Sequence, residues 1–171
     1  LLLRLCQSLK MASTVNVLLL ASVFFFAEAA NELAKGWGDN IDWMTLEKAW
    51  QRSKSENLPV FLLIHKSWCG ACKAFKPKFA ESAEIHKMSE HFVMVNVEDH
   101  EEPDGDQYKP DGGYIPRILF FDSEGKLLDD VYNKNGNPKY KYFYHAPEGV
   151  IESMRTVLKR QESNSKVKKE L

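Results

Sequence analysis

Cysteine is scarce in this 171-residue chain: Cys6, Cys69 and Cys72 are the full complement. A small secreted domain stapled by disulfides carries several spaced pairs, so covalent cross-linking is excluded as the organising principle. An excess of charge is also missing. Lys plus Arg number 23 against 24 Asp plus Glu, a net charge of −1. That removes the basic stripe a nucleic-acid partner would need. No apolar run is long enough to span a bilayer, which takes about 20 residues. Internal repeats are absent. What remains is 44% hydrophobic and 27% charged residues, enough for one domain with a real core plus short tails.

The ends of the chain read as addresses. Residues 1–10 precede the first methionine, Met11, and are set aside from fold reasoning. From Val15 to Ala27 the chain is apolar except for Asn16 and Ser22, and it closes on Ala27-Glu28-Ala29. This is the pattern of a secretory signal peptide, so that 1–29 comprises upstream residues plus signal peptide, with an uncleaved anchor helix as the alternative. Cleavage after Ala29 removes Arg4, Lys10 and Glu28, takes the net charge to −2, and removes Cys6. Cys69 and Cys72 are then alone, and no stable membrane insertion is expected. From Gln161 the chain is polar and is expected to be a flexible tail. It closes on Lys168-Lys169-Glu170-Leu171, similar to the K-D-E-L retention signal with Lys169 in place of Asp. The two signals together place the domain in the endoplasmic reticulum lumen.

Between the ends the patterning alternates. Residues 30–43 read as an N-terminal arm with a short edge strand near Ile41-Asp42-Trp43; the domain proper spans 44–160. Leu46, Ala49 and Trp50 share a helical face over 45–55. Val60-Phe61-Leu62-Leu63-Ile64 is a continuous apolar run, the mark of a strand buried on both faces of a mostly parallel sheet. One long helix is expected from Cys69 to about Ser89, kinked at Pro77. A strand over 92–97 follows, then an acidic loop over 99–114. Residues 117–121 and 126–131 read as a hairpin around Asp122-Ser123-Glu124-Gly125. Residues 132–146 are irregular and rich in tyrosine. A helix over 147–160 buries Val150, Ile151, Met154, Val157 and Leu158. The class is α/β, a central mixed sheet flanked by helices.

The chemistry sits at Cys69-Gly70-Ala71-Cys72, directly after the buried strand and at the start of a helix. Free N–H groups and a partial positive charge at a helix N-terminus favour a thiolate at Cys69. Lys66 and Lys73 flank the motif and add to that effect. Cys72, one turn further in, is placed to resolve a mixed disulfide formed by Cys69. Gly70 is expected to permit close approach of the sulfurs, and Trp68 to pack beside them and shield one side. Zinc is the rival reading: His86 and His91 have suitable x4 spacing, but they lie about 20 Å along the helix and no second cysteine pair exists. Neither a metal nor a cofactor is expected. Ile115-Pro116 enters a strand after a long loop, and the spacing leaves its peptide bond cis or trans.

Trp68-Cys69-Gly70-Ala71-Cys72-Lys73 resembles the active site of the thioredoxin superfamily, and Pro116, after Ile115, matches that family's cis-proline. Residues 65–74, 76–82, 110–120 and 135–138 resemble a branch of small endoplasmic-reticulum members related to the anterior gradient proteins. The likeness covers about residues 35–160. It implies a thioredoxin fold and a monomeric protein-disulfide oxidoreductase. It also implies partners: secretory client proteins with thiols or disulfides, and glutathione. The anterior gradient relatives lack the complete C-x-x-C, so the presence of both cysteines favours an enzyme. A binding module that grips unfolded chains with tyrosines 132–144 is the competing function. Two positions depart from the superfamily pattern. Leu63 stands where many members bury an acid, and Ala71 where disulfide isomerases usually have His. The pair should therefore equilibrate with glutathione buffers at a potential between about −270 and −180 mV, the values of thioredoxin and protein disulfide isomerase; a measurement outside that interval contradicts the reading.

Overall fold

The computed structural model describes residues 31–170, with side chains through Lys166. The upstream residues and signal peptide expected over 1–29 lie outside the described residues, and so does Leu171 at the end of the retention-like sequence.

Strand β2 (Val60–His65) is buried at all six positions. It has no polar side chain to offer water until His65, so it takes the centre of the sheet. It pairs in parallel with β3 (Val93–Glu98), with Leu62 opposite Val95. On its other side it runs antiparallel to β4 (Arg117–Phe121), with Leu63 opposite Ile118. The two-residue β1 (Trp43–Met44) adds to the far edge of β3, giving the order β1-β3-β2-β4. Alternate side chains of each strand face opposite layers. Phe61, Leu63, Met94, Ile118 and Phe120 face one core, and Val60, Leu62, Ile64, Val95 and Leu119 face the other.

Helix α1 (Leu46–Glu56) covers the second core with Ala49 and the flank of Trp50, and ends at Asn57 in a left-handed conformation. The first core is covered by α2 (Gly70–Ala80), α3 (Ala83–Ser89) and α4 (Pro147–Glu170). Phe79 is its hub. Its ring meets those of Trp37, Trp43, Phe61 and Phe75 at 5.5 to 6.2 Å.

Four sequence expectations change. The long helix over 69–89 is two helices, and the break lies past Pro77, at Ser82. The Ser82 hydroxyl accepts from the Ile85 N–H at 3.4 Å and starts α3 as an N-cap, a signal that competes with the continuing apolar pattern. The second hairpin strand does not form. The turn itself is present, with Asp122 Oδ1 accepting the Glu124 and Lys126 N–H groups, but the ladder stops at a bridge between Phe121 and Leu127. Beyond it Asp130 turns out to pair with Arg160, so the chain leaves the sheet. The arm is not separate from a domain proper that starts at 44: Ala34, Trp37 and Ile41 are fully buried in the first core. Finally, the last helix continues from 160 to Glu170 instead of giving way to a flexible tail. Residues 161–170 contain neither Gly nor Pro and are mostly good helix formers; polarity indicated exposure, not loss of helix.

Phe79→Ala should lower stability by about 3–5 kcal/mol. The urea unfolding midpoint measures it.

Candidate active site

The Val60–His65 strand delivers the chain to a tight turn in which the Cys69 N–H donates to the Lys66 carbonyl at 3.2 Å. Cys69 is the N-cap of α2, in extended conformation, and its Sγ accepts the Cys72 N–H at 3.0 Å. That N–H is one of the helix's unpaired donors, and it would stabilise a thiolate in the same place. The two cysteines form a disulfide, with Cα atoms 5.3 Å apart. Across the site the carbonyl oxygen of Ile115 lies 3.9 Å from Cys69 Sγ, and the Ile115-Pro116 peptide is cis. The geometry thus brings together Cys69, Cys72, Ile115 and Pro116 from two separate stretches of chain. Cys69 retains 6% of its surface and Cys72 only 1%, so Cys69 is the more accessible of the two sulfurs though less exposed than expected.

A family model described as thioredoxin-like matches residues 42–123. Anterior gradient protein 2-B of Xenopus laevis is 33% identical over 150 residues, covering 83% of this chain and 90% of that protein. Anterior gradient protein 2 homolog of Homo sapiens is 35% identical over 128 residues, covering 74% of this chain and 72% of its own length. The chain belongs to the thioredoxin-like family that includes the anterior gradient proteins. Fold, cysteine pair and relatives together support a thiol–disulfide oxidoreductase.

Several supporting residues of this thioredoxin-like site play other parts than expected. Trp68 is 72% exposed and shields nothing. A Cβ on Gly70 would meet no atom within 4 Å, so glycine is not required there for sulfur geometry. Ala71 and Lys73 are exposed on the first turn of α2. Lys66 is engaged elsewhere: its ammonium donates to the Asp99 carbonyl at 2.7 Å and pairs with Glu102 at 2.5 Å. Leu63 is fully buried in the first core, so no acid occupies that place. Among the described residues no three His, Cys, Asp or Glu side chains gather as metal ligands. His86 instead pairs with Asn40 at 2.7 Å. The tyrosine segment mostly packs its own loop. Tyr142 donates to the Asp129 carbonyl, the Tyr144 hydroxyl meets Ser153, and only Tyr140, edge-on to Tyr114 at 5.0 Å, stands well out.

The sequence reading missed a polar frame around the site. His65, fully buried at the end of β2, places Nε2 2.6 Å from Asn96 Oδ1. The Asn96 amide in turn donates to the Leu33 and Ala34 carbonyls, tying the arm to the sheet. Since the Asn96 nitrogen is occupied in donating, its oxygen accepts and His65 Nε2 carries the proton. Asp99, at φ 52°, turns its carboxylate to the Ser67 N–H at 2.9 Å, and this bond holds that carboxyl below its ordinary range. One sign of this frame was legible: the acidic run after β3 ends on the same side of the sheet as the cysteines.

Burial drives the His65 pKa down to about 4, opposed in part by the Asn96 bond and reinforced by Lys76 and Lys35. The unfolded imidazole protonates near about 6.5. Between those values the unfolded state holds the extra proton. Stability from this group is therefore complete above the unfolded pKa and falls as pH drops toward 4, by at most about 1.4 kcal/mol per pH unit. Urea midpoints measured across that window should follow this slope, and His65→Gln should remove its contribution.

Proposed function

We propose that this chain is a protein thiol–disulfide oxidoreductase of the endoplasmic reticulum lumen, exchanging disulfides with secretory clients and with glutathione. The observation that carries the exchange is Cys69 at the N-cap of α2, its sulfur receiving the Cys72 N–H and facing the Ile115 carbonyl. The apolar run over 15–27 with its Ala27-Glu28-Ala29 supports the compartment.

In the reduced form the Cys69 thiolate attacks one sulfur of a client disulfide. A Cys69–client bond forms, and the client's other sulfur leaves as a thiolate that takes up a proton. The Cys72 thiol, deprotonated, then attacks Cys69 Sγ. That bond closes the Cys69–Cys72 disulfide and releases the client's second thiolate. The client gains two electrons from the cysteine pair and two protons, one given up by Cys72 and one by solvent, since Cys69 starts as the thiolate. Run backwards, the same steps oxidise a client dithiol. Two glutathione thiols restore the reduced pair and leave as glutathione disulfide.

Cys69→Ser should abolish turnover of insulin disulfides. Cys72→Ser should accumulate Cys69–client mixed disulfides, recoverable by mass spectrometry from secretory-pathway cells. Turnover that survives Cys69→Ser, or the absence of any trapped client, contradicts the assignment.

A further inference from the structure

Glu102 lies in the loop after β3, outside the cysteine motif and the Ile115-Pro116 loop. Its side chain is largely buried, and its two oxygens hold two cations that belong to opposite walls of the redox site. Oε2 pairs with the Lys66 ammonium at 2.5 Å, and Oε1 accepts from the Arg117 guanidinium. Lys66 opens the turn that presents Cys69, through its carbonyl at 3.2 Å from the Cys69 N–H. Arg117 directly follows Pro116 and is fully buried. Its guanidinium also donates to the Tyr108 carbonyl at 3.1 Å and to the Tyr114 carbonyl, one residue before the Ile115 carbonyl that faces Cys69 Sγ. A carboxylate that two cations share in a partly dry setting is a stiff link, because removing it leaves a buried charge without its partner.

We propose that Glu102 is a positioning residue for disulfide exchange: by clamping Lys66 and Arg117 together it fixes the Ile115 carbonyl against the Cys69 sulfur. The proposal rests on the oxidoreductase reading. Burial alone would raise the Glu102 carboxyl, but the bonds from Lys66 and Arg117 outweigh it and keep the group ionised. Lys109, the remaining nearby cation, stands at 4.0 Å with a more exposed ammonium. Asp99 supports the same wall, accepting from Ser67 with its carboxylate and from Lys66 with its carbonyl.

The chemistry of the clamp suggests a selective cut. In Glu102→Gln the amide oxygen still accepts from Arg117. The amide nitrogen then meets the Lys66 ammonium donor to donor, so that half of the link is lost. Lys66→Met cuts the same half from the other side, together with the Lys66 bond to the Asp99 carbonyl, and leaves the Arg117–Glu102 pair intact.

The test compares full-length wild type, both single variants and the double variant. Two rates are read: kcat/KM for a peptide disulfide, and alkylation of reduced Cys69 by iodoacetamide. Alkylation needs the thiolate but no alignment with Ile115. A positioning role predicts that kcat/KM falls about tenfold in each single variant. It predicts that the double variant is no worse than Lys66→Met alone, because the Lys66–Glu102 link that Glu102→Gln cuts is already gone there. Alkylation should stay within about twofold of wild type, whereas a change in thiolate stability would move it in step with kcat/KM. Wild-type kcat/KM in both single variants, multiplying losses in the double variant, or a tenfold shift in alkylation overturns the proposal. A wild-type chain that never reacts with the peptide disulfide overturns the oxidoreductase reading itself, a result distinct from active wild type with unaffected variants.

Discussion

Everything at the site depends on β2 being held from both sides. Its six residues are buried, laddered to β3 on one edge and β4 on the other. Such a strand cannot slide, because a slip of one residue would exchange the faces of Phe61 and Leu63 with those of Leu62 and Ile64. The turn after His65 therefore emerges at a set place, and α2 must begin where Cys69 can cap it. β4 is locked to the same strand, so Ile115 and Pro116 arrive opposite Cys69 by the same constraint.

Around this centre the polar groups divide into two kinds of work. The His65–Asn96 pair joins the sheet to the arm and stays uncharged. The acidic run after β3 pins the redox turn, Asp99 to Ser67 and Lys66 and Glu102 to Lys66 and Arg117, while Glu101 pairs with Lys35 of the arm. Asp99 adopts a left-handed conformation unusual for a residue with a side chain, and both its carbonyl and its carboxylate are put to use by it.

What could be read in advance followed the strength of the local signal. Val60 to Ile64 admits no environment but an interior strand, and C-x-x-C after such a strand belongs at a helix start. Both cysteines, Ile115 and Pro116 do meet. Three elements were hidden because composition alone left more than one outcome open. Ser82 could have been mid-helix as easily as a cap. Lys126 to Val131 has strand composition, but Asp130 finds Arg160 on α4. Trp68 was expected to cover the sulfurs, yet the rings around Phe79 come from Trp37 and Trp43 instead. The clamp at Glu102 was hidden for a different reason: its members are separated along the chain and converge only when β2, β3 and β4 are assembled.

The buried arm carries a consequence for where this protein can be divided. The thioredoxin-like match spans 42–123, but Ala34, Trp37 and Ile41 precede it and Val150, Met154 and Val157 follow it, all within one core. The recognisable module and the cooperative unit are thus different lengths of chain. Excised at the borders of the match, the segment would carry the cysteines, the cis-proline and all four strands, yet strip from Phe75 and Phe79 the Trp37 ring that packs edge-on against both.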